Sequence, residues 1–203
     1  MTGGPSAEIR VGPGEIPSDA APRAFFRRPT RTVARQLLGA WIVRRSEGRL
    51  YAARIVEVEA YLGAGDAAAH SRGGRRTERV EPMWGDGGLL YVFQVYGMHF
   101  CANVVTRRAG RPEAVLLRAA RHPRAPLSAL SGPGRLARAF GLSREHSGLD
   151  LVGNREWEIR PEPVPRASII ASPRIGVDYA GEAASWPLRY SIRGEPAVSR
   201  RRP

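Results

Sequence analysis

A chain of 203 residues, 42% apolar and 25% charged, has room for one domain with a real core, or barely two small ones. No run approaches the ~18 apolar residues of a membrane span, and the N-terminus lacks the basic start and apolar stretch of a secretory signal. The single cysteine, Cys101, excludes an internal disulfide and fits a reducing cytoplasm. A formal charge of +13 exceeds what solubility requires and points to a polyanionic partner.

All 32 basic residues are arginine, whose planar fork donates two hydrogen bonds at once to phosphate. The charge is uneven: residues 104–146 hold nine arginines against Glu113 and Glu145. The absence of lysine has a chemical consequence. A Schiff base needs an unprotonated primary amine, and only the chain's own N-terminus could supply one, so lysine-based lyase chemistry is ruled out. No amphipathic basic helix directs the charge toward a lipid surface.

Residues 1–24, rich in Gly, Pro and Ala, read as a flexible leader, with an ordered domain over 25–196 and a basic tail over 197–203. Thr30 is expected to cap a helix, TRTVARQLLG, that buries Val33, Leu37 and Leu38 and ends at Gly39. AWIVRR and LYAARIVEVEAYL then read as two strands of a hairpin. In the second, alternation sets Ile55, Glu57, Glu59 and Tyr61 on one face and Val56, Val58 and Ala60 on the other. GAGDAAAHSRGGRRT is turn-forming around a short helical stretch ending at His70. GLLYVFQVYGMHFCANVVT reads as two strands joined tightly at Tyr96-Gly97, and EAVLLRAARHP is a further strand. GPGRLARAFGL is a short helix with Leu136, Ala139 and Phe140 as its apolar stripe. ASIIASP and PLRYSIRG are short strands set off by Pro and Gly. The pattern predicts a mixed α+β single domain with a curved, largely antiparallel sheet, short surrounding helices and a protruding β-hairpin.

Two carboxylates at i and i+2 on a strand, Glu57 and Glu59, have Cα atoms about 7 Å apart. They could serve an inverting sugar glycosidase, or simply pair with arginines such as Arg54 or Arg118. His70, His99, His122 and His146 show no metal-ligand spacing, and His99-x-Cys101 offers too few ligands, so no metal is expected. Cys101, within an apolar strand, reads as a small buried hydrophobe. Tyr96 at a hairpin tip beside a basic surface is either a wedge for a DNA minor groove or a residue packed under another loop.

Taken together, ARIVEVEAYLGAGDAAAHSRGGRRT, LLYVFQVYGMHFCANVV, AVLLRAARHP, GPGRLARAFGL and SPRIGVDYAGEAASWPLRYSIRG resemble the alkyladenine (3-methyladenine) DNA glycosylase family over roughly residues 28–194. The resemblance implies a monofunctional enzyme of base excision repair that takes alkylated or deaminated purines out of duplex DNA and hydrolyses the N-glycosidic bond. It implies that Glu59 activates the attacking water and that Arg118 lies beside the water and a backbone phosphate. Glu57 has no catalytic counterpart. Tyr61, His70, Phe93 and Asn103 would form the base pocket, with Phe93 where the family often has Tyr, and Tyr96 would fill the gap in the stack. His99 stands where many relatives have Tyr, close to the DNA surface. The expected partner is double-stranded DNA bearing damaged purines, with no cofactor, no membrane and a monomeric, cytoplasmic protein. A non-catalytic nucleic-acid-binding protein and a carbohydrate glycosidase are the rival readings. The first leaves a central Glu59 unexplained, and the second does not require a charge of +13.

Overall fold

A computed structural model describes residues 4–12 and 14–199. Its elements in chain order are β1 (Arg10–Val11), α1 (Arg23–Phe26), α2 (Thr30–Leu37), β2 (Trp41–Ser46), β3 (Arg49–Tyr61), β4 (Leu90–Val95), β5 (His99–Thr106), β6 (Glu113–Arg121), α3 (Pro133–Ala139), β7 (Trp157–Arg160), β8 (Ile169–Ser172) and β9 (Arg189–Ile192), with short 3-10 turns between them. The nine strands form one mixed-length antiparallel sheet whose main order is β4-β5-β6-β3-β2-β7, and it does not close into a barrel. The expected mixed α+β single domain with a large antiparallel sheet is thus the one observed. No helix among the described residues is long and apolar enough to cross a membrane.

The 13-residue β3 is the spine of the sheet. Its first half pairs with β2 through a turn at Glu47 (φ 50°) and Gly48 (φ 69°), the two left-handed residues a tight hairpin needs. Its second half pairs with β6 on one side and with β9 on the other. Helices α2 and α3 bury Val33, Leu37 and Leu136 in the main core, where Phe140, the C-cap residue of α3, joins them with Ile55, Val58, Ala60, Val104, Val115 and Leu117 from the sheet. The opposite face of the sheet carries the site, bordered by loops and by the 3-10 segments Glu81–Trp84 and Asp178–Ser185.

Four expectations change. Strict alternation along β3 fails because its pairing with β6 is irregular: Ile55 faces Ala120, Glu57 faces Ala119, and Val58 faces Leu117. The break switches the pleat, as bulges do. Ile55 therefore joins Val58 and Ala60 in the core, while Val56 packs with Ala119 and Ala197 and Glu57, Glu59 and Tyr61 share the far face. Thr30 is the first residue of α2 and not its cap, a position held by Pro29. Its hydroxyl donates to Glu113, so the Thr106 hydroxyl, 2.7 Å away, donates to it. Residues 7–11, assigned to a flexible leader, are instead built into the domain: β1 pairs with β3, and Ile9 is fully buried in the main core. An apolar side chain with a core to enter holds its segment down, whatever the Gly and Pro content around it. Finally, Ala197–Ser199 of the expected tail are packed, with Ala197 wholly buried; Arg200–Pro203 lie outside the described residues.

Candidate active site

The four adjacent strands β4, β5, β6 and β3 turn one row of side chains toward the face that carries the site. Tyr91 pairs with Asn103, Asn103 with Leu116, and Leu116 with Glu59. Three inter-strand steps of ~4.8 Å set Tyr91 and Glu59 about 14 Å apart across this floor. Walls rise from the segments after β3 and before β9. The result is a cavity of about 430 Å³, and Tyr61, His70, Phe93, Asn103, Arg118 and Tyr96 all line it. Every residue proposed for the pocket from sequence therefore converges on one cavity, and Glu59 lies directly behind its wall.

Glu59 is fully buried. Its Oε2 accepts from the Tyr61 hydroxyl at 2.9 Å, its Oε1 accepts from the Ile175 amide at 2.8 Å, and Arg118 Nη1 stands 3.3 Å from Oε1. Tyr61, Arg118 and Ile175 all line the cavity, so each partner of the carboxylate borders the space a ligand would fill. Burial pushes the Glu59 carboxyl above the ordinary range, and Arg118, the Ile175 amide and the Tyr61 hydroxyl oppose that rise by favouring the ionised form. Burial, and then the charge of Glu59, hold the Tyr61 phenol well above its usual value, so it remains a donor.

Glu57 is equally buried but differently engaged. Its Oε1 accepts from Arg118 Nε at 3.1 Å and Arg189 Nη1 at 3.2 Å, and its Oε2 accepts from the Ser199 amide at 2.7 Å. Two guanidinium groups and an amide saturate it. Arg118, on β6, is the link between the two carboxylates.

The pocket's aromatic wall is a cluster. The His70 ring meets Phe93 edge-on with centroids 4.5 Å apart, and Tyr91 lies 5.4 Å from Phe93. His70 Nδ1 is 2.8 Å from the Tyr91 hydroxyl. Burial, with the neighbouring Arg79, Arg75 and Arg72, lowers the His70 pKa to about 4, and burial raises Tyr91 to about 12. Both rings are neutral at physiological pH. Asn103 donates Nδ2 to the carbonyl of Tyr91 at 3.0 Å, which fixes its amide on the floor. Tyr96 is 91% exposed at the hairpin tip. It and Gly97 hold left-handed φ of 52° and 69°, and the Met98 amide closes the turn on the Val95 carbonyl. A packed-under tip is not what forms.

Sequence inspection overlooked the Asp66–Arg174 pair, in which both side chains are wholly buried. Asp66 accepts from the amides of Leu62 and Ala68 at 3.0 Å and from Arg174 Nη2 at 2.8 Å, tying the loop that ends in His70 to the segment before β9. The Arg174 guanidinium also lies 4.7 Å from the Tyr61 ring centroid. The partners are 108 residues apart, and no local pattern marks either one.

Beside the cavity runs a wider groove of about 1110 Å³, lined by His99, Arg118, Arg135 and Arg138 among others. At the cavity mouth Arg79 sits 5.6 Å from the Phe93 ring centroid. No group of three or more His, Cys, Asp or Glu among the described residues could hold a metal.

The pattern of the methylpurine-DNA glycosylase family matches residues 24–196. A 3-methyladenine DNA glycosylase by name from Desulfitobacterium hafniense (strain Y51) is 43% identical over 198 residues, covering 87% of this chain and 97% of its own. One from Anaeromyxobacter dehalogenans (strain 2CP-C) is 47% identical over 183 residues, covering 90% and 87%, and one from Myxococcus xanthus (strain DK1622) is 44% identical over 182 residues, covering 88% and 93%. With the family pattern spanning residues 24–196 and relatives 43–47% identical over most of its length, the chain belongs to the methylpurine-DNA glycosylase family, a family of hydrolases of N-glycosyl bonds.

Proposed function

We propose that the protein is a monofunctional glycosylase that extrudes alkylated or deaminated purines (3-methyladenine, 7-methylguanine, hypoxanthine, ethenoadenine) from duplex DNA and leaves an abasic site. The observation that carries this reading is the buried Glu59, each of whose three partners borders an aromatic-walled cavity. The cavity's size lies within the ~300–1,000 Å³ of small-ligand sites. Tyr61 and the His70–Phe93 wall are the stacking surfaces for the extruded base, a process that costs a few kcal/mol of lost stacking. Tyr96, exposed at its tip, fills the gap left in the duplex. The arginine-lined groove and the arginines at the mouth support a duplex lying across this face.

In hydrolysis the C1′–N bond breaks with its electron pair leaving on the purine, and the oxygen of water bonds to C1′. Ionised Glu59 orients that water and takes its proton, while its charge stabilises the cation developing on the sugar. Arg118 holds the carboxylate in place beside the water and the backbone phosphate. A purine methylated at N3 of adenine or N7 of guanine is already cationic and leaves as a neutral base, so it needs little acid assistance, whereas hypoxanthine and ethenoadenine leave as anions that take up a proton from solvent. The abasic strand stays intact, since no lysine is present to form a Schiff base. A monomer in a reducing, cytoplasmic, DNA-associated setting goes with this reading.

The test is a duplex oligonucleotide with one hypoxanthine, incubated with the protein in EDTA and then treated with alkali. Base release with an alkali-labile strand is expected, and borohydride should trap no covalent complex. Binding without release, on hypoxanthine, ethenoadenine and alkylated DNA alike, would leave a binding protein instead of an enzyme.

A further inference from the structure

The family match ends at residue 196, three residues before Ser199. Yet Ser199 is buried and reaches Glu57 and the arginine that links the two carboxylates: its amide donates to Glu57 Oε2 at 2.7 Å, and its Oγ accepts from Arg118 Nη2 at 3.2 Å. The segment leading to it is pinned in steps. Glu195 pairs with Arg121 and accepts from the Ala197 amide at 3.1 Å, and Ala197 is buried against Val56 and Ala119 at the break in the β3–β6 register.

We propose that Ser199 is a positioning residue that sets the plane of the Arg118 guanidinium against Glu59. This rests on the reading of Glu59 and Arg118 as the reacting pair. The three guanidinium nitrogens go to three different groups: Nε to Glu57 at 3.1 Å, Nη1 to Glu59 at 3.3 Å and Nη2 to Ser199 at 3.2 Å. A planar fork held at only two points can still pivot, and a third contact stops it. Arg118 and Ser199 both line the groove beside the cavity, so the hydroxyl closes the arginine on its groove side. Without that acceptor, Nη2 turns toward the groove or toward Glu57, and Nη1 swings off Glu59.

The experiment is a cycle in the full chain: Ser199→Ala and Ser199→Thr alone, and Ser199→Ala combined with Arg118→Lys. The readouts are the single-turnover excision rate on a hypoxanthine duplex at saturating protein, the duplex Kd and the Tm. Ser199→Ala should slow excision about tenfold, the scale of one hydrogen bond to a charged group, with Kd held within about twofold. Ser199→Thr, which keeps the hydroxyl, should restore the rate. In the Arg118→Lys background, where the three-point fork is already gone, Ser199→Ala should cause no further loss. An unchanged rate in Ser199→Ala, or an equal loss in both backgrounds, would overturn the proposal and leave the segment a packing element. A wild-type rate in Arg118→Lys alone would instead sink the role of Arg118. Should the alanine variant melt below the assay temperature, Ser199→Cys, of similar size but a poor acceptor, gives the same comparison.

Discussion

Glu59 and Arg118 face each other from neighbouring strands, with Oε1 3.3 Å from Nη1, while the same arginine donates to Glu57 through Nε at 3.1 Å. One cation thus serves two buried carboxylates, and the two differ in everything else that touches them. Tyr61 and Ile175, both bordering the cavity, complete Glu59; Arg189 and Ser199 complete Glu57.

That difference separates the two isosteric variants. Glu59→Gln is expected to keep duplex binding and lose at least ~100-fold in single-turnover excision, the scale of a general base. Its Tm should not fall, since Glu57 still neutralises Arg118. Glu57→Gln removes the charge facing two guanidinium groups and should destabilise by about 3 kcal/mol, as breaking a buried pair does. Near-normal excision by Glu59→Gln, or a larger Tm loss in Glu59→Gln than in Glu57→Gln, would contradict the assignment.

The pH dependence follows from the same burial. The base must be ionised, so excision should fall with unit slope as pH drops through a Glu59 pKa lying above the ordinary carboxylate value. For stability the sign is opposite. A carboxyl whose folded pKa is raised favours the folded state while protonated, and that contribution is lost as pH rises through the folded value. Wild type should therefore be less stable than Glu59→Gln near pH 8, with the gap closing below pH ~4.5. Parallel melting curves at all pH values would exclude the effect.

His70 titrates the other way. With its pKa lowered to about 4, its neutral form is the one built into the fold, and its stability contribution is present above the unfolded value of 6.5. That contribution should be lost as pH falls from about 6.5 toward 4. An NMR titration of the His70 ring should show no midpoint near 6.5, and finding one there would mean that the ring is not held in the His70–Tyr91–Phe93 cluster.

Tyr96 is exposed and its backbone is left-handed, so its side chain contributes little to the fold and its conformation costs about 1 kcal/mol. Tyr96→Ser should leave the Tm unchanged. It should slow excision from paired duplex several-fold more than from single-stranded or mismatched DNA, where unstacking is cheaper. Equal loss on all substrates would argue against a wedge.

Asn103 is expected to exclude guanine by opposing its 2-amino group on the pocket floor, a penalty of about 1–3 kcal/mol. The amide also bonds the Tyr91 carbonyl, so Asn103→Ala should lower stability by about 1 kcal/mol whatever its role in selection. The discriminating measurement is the rate on guanine or 7-methylguanine relative to hypoxanthine. Gating predicts a rise in that ratio, and an unchanged ratio would remove the gate.

The sequence by itself determined the elements and the chemistry available to them. The alternating runs over Leu90–Val95 and His99–Thr106 and the Tyr96-Gly97 turn are local, as is the absence of lysine, and each was legible without the fold. The spaced segments around Glu59, Tyr61 and His70 carried the family likeness. Only the tertiary structure decided which face Ile55 takes, because a compensated irregularity between two strands cannot be seen in either strand alone. It also decided that Ile9 and Ser199, in segments read as a leader and a tail, are structural, since their partners lie on the sheet and on β3 and β6. The Asp66–Arg174 pair, whose members are 108 residues apart, is the clearest case. A buried charge is tolerated only with its partner, and sequence shows the charge but not the partner that long-range packing delivers.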